Sequence, residues 1–480
     1  MSDAAPEASQ DVPICVDLDG TLVRTDTLVE SALLLLKQNP LSLFSMLLWL
    51  LSGKANLKQK LADRVLPDPN LLPYHRGLLE WLRERKSEGR RLLLVTAANH
   101  RIAEAVAGHL DIFDEVIAST EGRNMSAHVK AGELASRFSV RGYDYAGNSS
   151  DDLPVWTSCR EAIIVSATKE VAKAARGRAS VAAEFPPEVS PLRALLKAMR
   201  PHQWSKNLLV FVSIVIDQHF NDGPLLASTI MAFIAFCLVS SSVYLVNDML
   251  DLTSDRTHSE KNRRPFASGS APLIFGVVGA PALLIFGMLL AGTVSKAFVG
   301  VLTLYLLLTL SYSFYLKRHV LLDVLVLAML YTLRIVAGAA VGESLPSVWL
   351  MSFSMFIFTS LAMAKRYAEL KALESEEGGW VGGRGYHVHD LSVVAQLGAS
   401  AGFISVLVLA LYVDSADVGD TYDEYFYMYL LCPLLMYWIG RIWVLASRGM
   451  LTQDPVIFAT RDRVSYLIFG LGGVLLWAAL

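Results

Sequence analysis

The chain has 480 residues, 53% of them hydrophobic and 18% charged, with a positive mean hydropathy, which excludes an ordinary soluble enzyme of this size. A formal net charge of −3 calls for no nucleic acid or other polyanionic polymer as partner. The four cysteines, Cys15, Cys159, Cys237 and Cys432, lie far apart without CxxC or Cys/His ligand spacing, so neither a zinc site nor a disulfide framework is indicated.

The opening MSDAAPEASQDVP is small, polar and acidic and lacks the basic start and apolar core of a secretory signal, so the N-terminal region is expected in the cytoplasm. Next, ICVDLDGTLV places an apolar run, read as a buried parallel strand, directly before Asp17 and Asp19. Two acids one residue apart at a strand end project beyond the sheet, where α/β folds bind ligands. One such carboxylate can attack phosphorus, and the second can give and take the leaving-group and water protons.

An apolar insert follows over about 28–65. Its longest uncharged stretch, between Lys37 and Lys54, contains Pro40 and is short for a span. It is expected in the membrane surface, against the transmembrane helices, or as a plain buried cap. Further on, RLLLVTAAN offers a strand ending at Thr96, HVK offers Lys130, and YAGNSSDD offers Asp151 and Asp152.

In this order the pieces resemble the motifs of the haloacid dehalogenase (HAD) superfamily. That resemblance implies an α/β Rossmannoid phosphatase domain with a helical cap, over residues 1–181. It also implies Asp17 as nucleophile, Asp19 as acid/base, Thr96 and Lys130 as phosphate ligands, and Mg²⁺ held by Asp17, Asp19 and Asp152. The chain departs from the pattern at Gly147-Asn148, where the family commonly has Gly-Asp; an amide ligates Mg²⁺ through oxygen but supplies no charge.

AAEFPPEVSP, residues 182–191, is a Pro-rich joint, and 192–480 reads as an all-α membrane domain. Nine spans are predicted, centred in roughly 207–220, 224–249, 272–294, 297–316, 321–342, 349–364, 393–413, 425–446 and 464–480. Alternate loops carry the cations: Arg256 to Arg264, Lys317 and Arg318, Lys365 to Arg384, and Arg448 to Arg463. The intervening DQHFNDG, GESLPS and DSADVGDTYDE carry none, which predicts a cytoplasmic N-terminus and an external C-terminus in the inner membrane.

At the cytoplasmic end of the second span, Asn247, Asp251 and Asp255 recur every four residues, so on a helix they share one face. Three oxygen-bearing side chains at membrane depth are costly unless something binds them, and a hard cation carrying a diphosphate fits. Asp248 lies on another face. Arg256, Lys261, Arg263 and Arg264 follow closely and can pair with phosphate oxygens.

NDxxDxxxD resembles the first aspartate motif of the UbiA prenyltransferase superfamily, and the resemblance covers roughly 192–480. The matching second region, YSFYLKRHVLLDVLVLAMLYTLR, has Asp323 but Leu327 where a DxxxD spacing would place another acid, and Lys317 and Arg334 flank it. Fewer acids and more cations suggest a donor with an additional phosphate. With Arg200, His202, Lys206, Lys365, Arg366 and Glu369 at other helix ends, the set looks like the branch that makes polyprenyl-phosphate phosphoribose.

That resemblance implies transfer from phosphoribosyl diphosphate (PRPP) to a polyprenyl phosphate, with Asp251 and Asp255 central. Asn247, Asp251, Asp255 and Asp323 would hold Mg²⁺. Lys206, Arg256, Arg264, Lys317, Arg334, Lys365 and Arg366 would meet phosphate. The expectation is a bifunctional enzyme whose HAD half removes the 5-phosphate of the lipid product. The alternative is prenyl transfer to an aromatic acceptor with a structural or regulatory HAD domain.

Overall fold

A computed structural model of the protein describes residues 12–120, 123–216, 218–219, 221–344, 346–374, 384–415, 424, 426–451, 455–459 and 461–479. Most of the opening peptide, Asp217 and Phe220 of the loop DQHFNDG, and most of the loop DSADVGDTYDE lie outside the described residues. The chain divides into two compact units, Met1–Met199 with Tyr244–Ala280, and Arg200–Val243 with Pro281–Leu480.

The first unit is built on a six-stranded parallel sheet: β1 (Ile14–Val16), β2 (Leu92–Asn99), β3 (Glu115–Ser119), β4 (Asp144–Gly147), β5 (Glu161–Val165) and β6 (Ser180–Phe185). Strand order is β3-β2-β1-β4-β5-β6, so the winding reverses between β1 and β4, and a crevice opens beyond their carboxyl ends. Alternation along the strands loads both faces. Ile14, Val16, Leu92 and Leu94 pack with Leu78, Leu82, Ile102 and Val106, whereas Cys15, Leu93 and Val95 pack with Leu134, Val155 and Trp156. Both sides of each central strand are therefore buried, which is why these strands read as continuous apolar runs.

Between β1 and β2 stand α1 (Thr27–Gln38), α2 (Ser42–Leu51) and α3 (Lys54–Ala62), with a small core of Leu35, Met46, Leu61 and Val65. Asp26 caps α1 by accepting from the Leu28 and Val29 amides. Of α2 only Ser42 and Met46 are buried, while Phe44, Leu47, Leu48 and Leu51 are exposed, so a plain buried cap does not describe this helix. The helices α4 (Arg76–Ser87), α5 (His100–Leu110), α6 (Ala127–Phe138), α7 (Leu153–Ser158) and α8 (Lys169–Arg176) complete the α/β layers, and α9 (Pro191–Ala198) follows β6.

In the second unit a 3₁₀ segment, Pro201–Phe211, leads into α10 (Val212–Ile216). The chain then runs through α11 (Gly223–Leu250), α12 (Leu252–Thr257), α13 (Leu273–Gly292), α14 (Lys296–Phe314), α15 (Leu322–Val341), α16 (Val348–Ala372) and α17 (Leu391–Val413), then further helices including Leu431–Ser447 and Arg463–Ala479. Residues Tyr244–Ala280 of this run belong to the first unit.

Among the described residues seven helices are long and apolar enough to cross a membrane, against the nine predicted. The two that fall short are the first and last. The first starts at Pro201 and winds mostly as a 3₁₀ helix, and Arg463–Ala479 has 17 residues. The remaining seven coincide with predicted ranges, most ends falling within a few residues, while Val348–Ala372 runs well past the predicted 349–364, and the protein is a multi-pass membrane protein.

Packing in the second unit relies on small residues, as expected where lipid offers no hydrophobic gain for helix association. A β-carbon on Gly338 of α15 would fall 2.0 Å from the Val210 carbonyl oxygen. The 3₁₀ segment can lie against α15 only because that position is bare.

Candidate active sites

Asp17 and Asp19 leave the end of β1 at the reversal of strand order. Lys130, on the first turn of α6 and only 4% exposed, donates to the Asp17 Oδ1 (2.9 Å) and to the Tyr145 hydroxyl (2.8 Å). The Tyr145 hydroxyl donates in turn to Asp152 Oδ1 (2.8 Å). A relay of four polar groups is thus buried beneath the crevice. Thr96 lies buried on β2, its hydroxyl accepting from the Ala98 amide.

Electrostatics follow from burial. Desolvation pushes the Asp17 carboxyl up to about 6 although Lys130 opposes it, and raises Asp19 to about 7, with Asp26 adding to the rise. A carboxyl near 7 can both give and take a proton at neutral pH. For Lys130, burial alone would lower the ammonium, but Asp17 and Asp152 outweigh it and hold the group above its ordinary value.

The oxygen donors at this crevice suit a hard cation. Gly20 has φ of +75°, and a β-carbon there would fall 2.1 Å from the Asn148 side-chain nitrogen, so the Asn148 amide reaches the loop carrying Asp17 and Asp19. Asp152 is differently engaged: its Oδ2 accepts from the Asn148 (2.9 Å) and Ser149 (3.0 Å) amides, closing a capping box. To ligate a metal it would exchange one of these partners.

Two further residues reach this region without a motif to announce them. Lys58 of α3 donates to the Ala97 carbonyl (2.7 Å), and burial lowers its ammonium although Asp19 and Asp26 oppose the shift. Nothing in KANLKQKLA separates Lys58 from a solvated lysine. Tyr145 opens YAGNSSDD, but a tyrosine in a buried strand reads as packing, so its place in the relay carried no sequence signal.

The second acidic cluster, also in the first unit, follows α11. The helix breaks at Asp251, whose φ and ψ of −98° and 12° separate α11 from α12. Backbone bonds from Asp251 to Asn247 (2.9 Å) and from Asp255 to Asp251 (2.8 Å) continue through the break, so the four-residue spacing keeps its helical sense. Arg264 donates to Asp248 (3.1 Å) and Asp255 (2.8 Å), and Asp251 is partly exposed with Lys37 of α1 at 3.3 Å. Burial raises the Asp255 carboxyl despite Arg264.

Arg256 does not point to open space. Its guanidinium grips Glu30 of α1 at 2.6 and 3.0 Å, both side chains buried, and its Nε donates to the Ala267 carbonyl (3.0 Å). A phosphate would have to compete with this bidentate carboxylate. Glu30 had a sequence signal, a lone acid within TLVESALLLL, that motif reading passed over.

The second unit holds the remaining residues. Asp323 is fully buried, with one oxygen accepting from Arg366 Nε (2.6 Å) and the other from the Tyr386 hydroxyl (2.6 Å). Arg366 also donates to Glu369 and Tyr312, and Arg384 joins Glu369 at 2.9 Å. Arg334 donates to the Asn207 side chain (3.0 Å), the Leu330 carbonyl and the Tyr305 hydroxyl, and lies among the rings of Phe236, Tyr305 and Tyr331. Lys206 stands over the Tyr331 ring at 5.5 Å; Lys317, in the short 3₁₀ segment Leu316–Arg318 after α14, and Lys365, within α16, are half-buried.

Among the described residues no three His, Cys, Asp or Glu side chains group closely enough to form a metal cage. Mg²⁺ does not require one: it is usually bound by one or two carboxylates together with waters and substrate phosphates.

Residues 208–459 match the UbiA prenyltransferase family and residues 48–156 the haloacid dehalogenase-like hydrolases. The protein y4nM of Sinorhizobium fredii is 34% identical over 459 residues, spanning 95% of this chain and 89% of that protein. Nodulation protein NoeC of Azorhizobium caulinodans is 35% identical over 282 residues, 58% of this chain and 92% of that one. Decaprenyl-phosphate phosphoribosyltransferase of Mycolicibacterium smegmatis is 28% identical over 301 residues, 59% and 91% respectively.

Proposed function

The chain belongs to the UbiA prenyltransferase family and carries a HAD-type domain at its N-terminus, and from that premise we propose a bifunctional enzyme. Its membrane half transfers 5-phosphoribose from PRPP to a polyprenyl phosphate, and its HAD half removes the 5-phosphate of the product. Similarity to a decaprenyl-phosphate phosphoribosyltransferase supports the first step. The observation that carries it is Asp323: it is the single acid of its motif, with Leu327 where a second would stand and both its oxygens taken by Arg366 and Tyr386, so the motif offers no free carboxylate pair to a metal-bound prenyl diphosphate.

In the transfer, the bond from ribose C1 to the pyrophosphate oxygen breaks while a lipid phosphate oxygen bonds to C1, and pyrophosphate leaves. Asn247, Asp251 and Asp255 would hold Mg²⁺, and Lys206, Lys317 and Lys365 are the lysines assigned to phosphate. In the hydrolysis, Asp17 attacks phosphorus and Asp19 protonates the departing sugar oxygen. Water then attacks the aspartyl-phosphate, Asp19 takes its proton, and inorganic phosphate is released. Lys130 orients Asp17 and neutralises the phosphoryl group, while Asp17, Asp19 and Asn148 would hold the metal. Mg²⁺, when bound, supplies positive charge to the leaving pyrophosphate and to the phosphoryl group.

The reading includes nine spans, with Pro201–Ile216 and Arg463–Ala479 as the short ones. It places the HAD domain on the cytoplasmic side of the inner membrane, the C-terminus outside, and the boundary between halves within 182–191. Purified protein given radiolabelled PRPP, decaprenyl phosphate and Mg²⁺ is expected to form a labelled lipid. Label entering only from a prenyl diphosphate would overturn the phosphoribosyl assignment. Asp17→Asn is expected to retain lipid labelling while the product keeps its 5-phosphate, read by mass spectrometry; unchanged dephosphorylation would remove the HAD domain from the reaction.

A further inference from the structure

A groove of about 290 Å³ within the first unit runs from Asp19, Gly20 and Asn148 to Pro272, Leu273 and Ile274. Its catalytic end is the phosphatase crevice. Its other end is the first turn of α13, one of the seven membrane-length helices. The volume suits a phosphorylated sugar.

The walls of the groove are fixed by close joints. Gly269 has φ of +72°, and a β-carbon there would fall 2.5 Å from the Arg24 β-carbon and 2.6 Å from its carbonyl oxygen. Nearby, the buried Arg256–Glu30 pair ties α12 to α1, and the Thr25 hydroxyl donates to the same Glu30 at 3.2 Å. Arg24 itself lines the groove. One guanidinium nitrogen donates to Glu188 at 2.6 Å, while its Nε is buried with no hydrogen-bond partner among the described residues.

Beyond the mouth, Ile274 and Val278 lie four residues apart on one face of α13, 50% and 61% exposed, with Phe275 beside them. A water-soluble phosphomonoester has no use for an apolar stripe that begins where its pocket ends. A phosphomonoester anchored in the bilayer does, because its chain can follow α13 while its polar end reaches the carboxylates.

We propose that this groove is a binding site for a lipid-anchored phosphomonoester, with Gly269–Ile274 and Arg24 selecting membrane-tethered over free sugar phosphates. This rests on the reading of Asp17 as a phosphatase nucleophile. The test uses full-length protein in lipid nanodiscs and two probes, ribose 5-phosphate and a synthetic farnesyl-phosphoribose 5-phosphate, with release of inorganic phosphate as the readout.

The lipid probe is expected to have a kcat/KM at least 100-fold higher. Val278→Glu, outside the groove lining, is expected to raise KM for that probe at least tenfold and to leave ribose 5-phosphate within twofold, with retained PRPP-dependent lipid labelling as the check on folding. Equal rates for both probes, or an equal loss on both in Val278→Glu, would overturn the groove while Asp17-dependent phosphate release leaves the phosphatase reading standing. Absence of Asp17-dependent release from either probe would instead remove that reading. The groove is then decided by photocrosslinking in Asp17→Asn: a diazirine in the first isoprene unit of the lipid probe should label 269–278, and labelling elsewhere would reject the site.

Discussion

Buried side chains in tight polar networks set the most direct tests. Asp323 and Arg366 are both fully buried and joined at 2.6 Å, so truncating Asp323 takes away the nearer buried counter-charge of Arg366 and leaves it to Glu369, which is partly exposed. Asp323→Ala is expected to destabilise the protein by about 3–5 kcal/mol, seen as a lowered thermal midpoint in detergent, and Asp323→Leu with Arg366→Met should recover part of the loss. His75 offers a pH test. Its Nδ1 accepts from the Leu78 amide at the start of α4, and burial holds its pKa below the ordinary value. The unfolded chain therefore binds a proton more readily, so stability is full above about pH 6.5 and falls as pH drops below it. Hydrogen exchange of peptides covering 75–87 should quicken under acid, and His75→Asn, which keeps a cap acceptor, should flatten that response. The polar relay Lys130–Asp17 was legible in the sequence because its members sit in ordered motifs. Its link through Tyr145 was not, since a strand tyrosine reads as packing until a partner appears.

At the scale of elements, apolar periodicity located the strands and the seven long spans, because burial on both faces or immersion in lipid leaves continuous apolar runs. The first and last spans differ in kind from the others, since one is a Pro-initiated 3₁₀ segment leading into a short helix and the other an apolar helix of only 17 residues. The insert after β1 left three alternatives open. The exposure of Phe44, Leu47, Leu48 and Leu51 on α2, flanked by Lys37 and Lys54, favours the interfacial one, apolar face in the bilayer boundary and lysines toward headgroups. A spin label at Leu48→Cys in nanodiscs should be relaxed more by oxygen than by a water-soluble nickel chelate; the reverse ranking would place α2 in water. The Glu30 partner of Arg256 was not legible, because nearness to Asp255 in sequence says nothing of a carboxylate 226 residues away.

For the molecule as a whole, the first compact unit joins the HAD domain to Tyr244–Ala280, the stretch that carries the NDxxDxxxD acids. A phosphatase on a slack tether would leave lipid labelling indifferent to changes in α1. Here Glu30→Gln removes the counter-charge of a buried guanidinium, and a cost of about 3 kcal/mol is expected. Both lipid labelling and phosphate release should fall together in that variant, measured on one preparation. The close seat of Gly269 on Arg24 carries a practical corollary for handling the protein. Residues 186–190 are exposed, so a protease can nick them, yet the peptide bond there holds nothing together. The clipped fragments should co-elute from a sizing column, and only denaturant would reveal that the polypeptide had been cut.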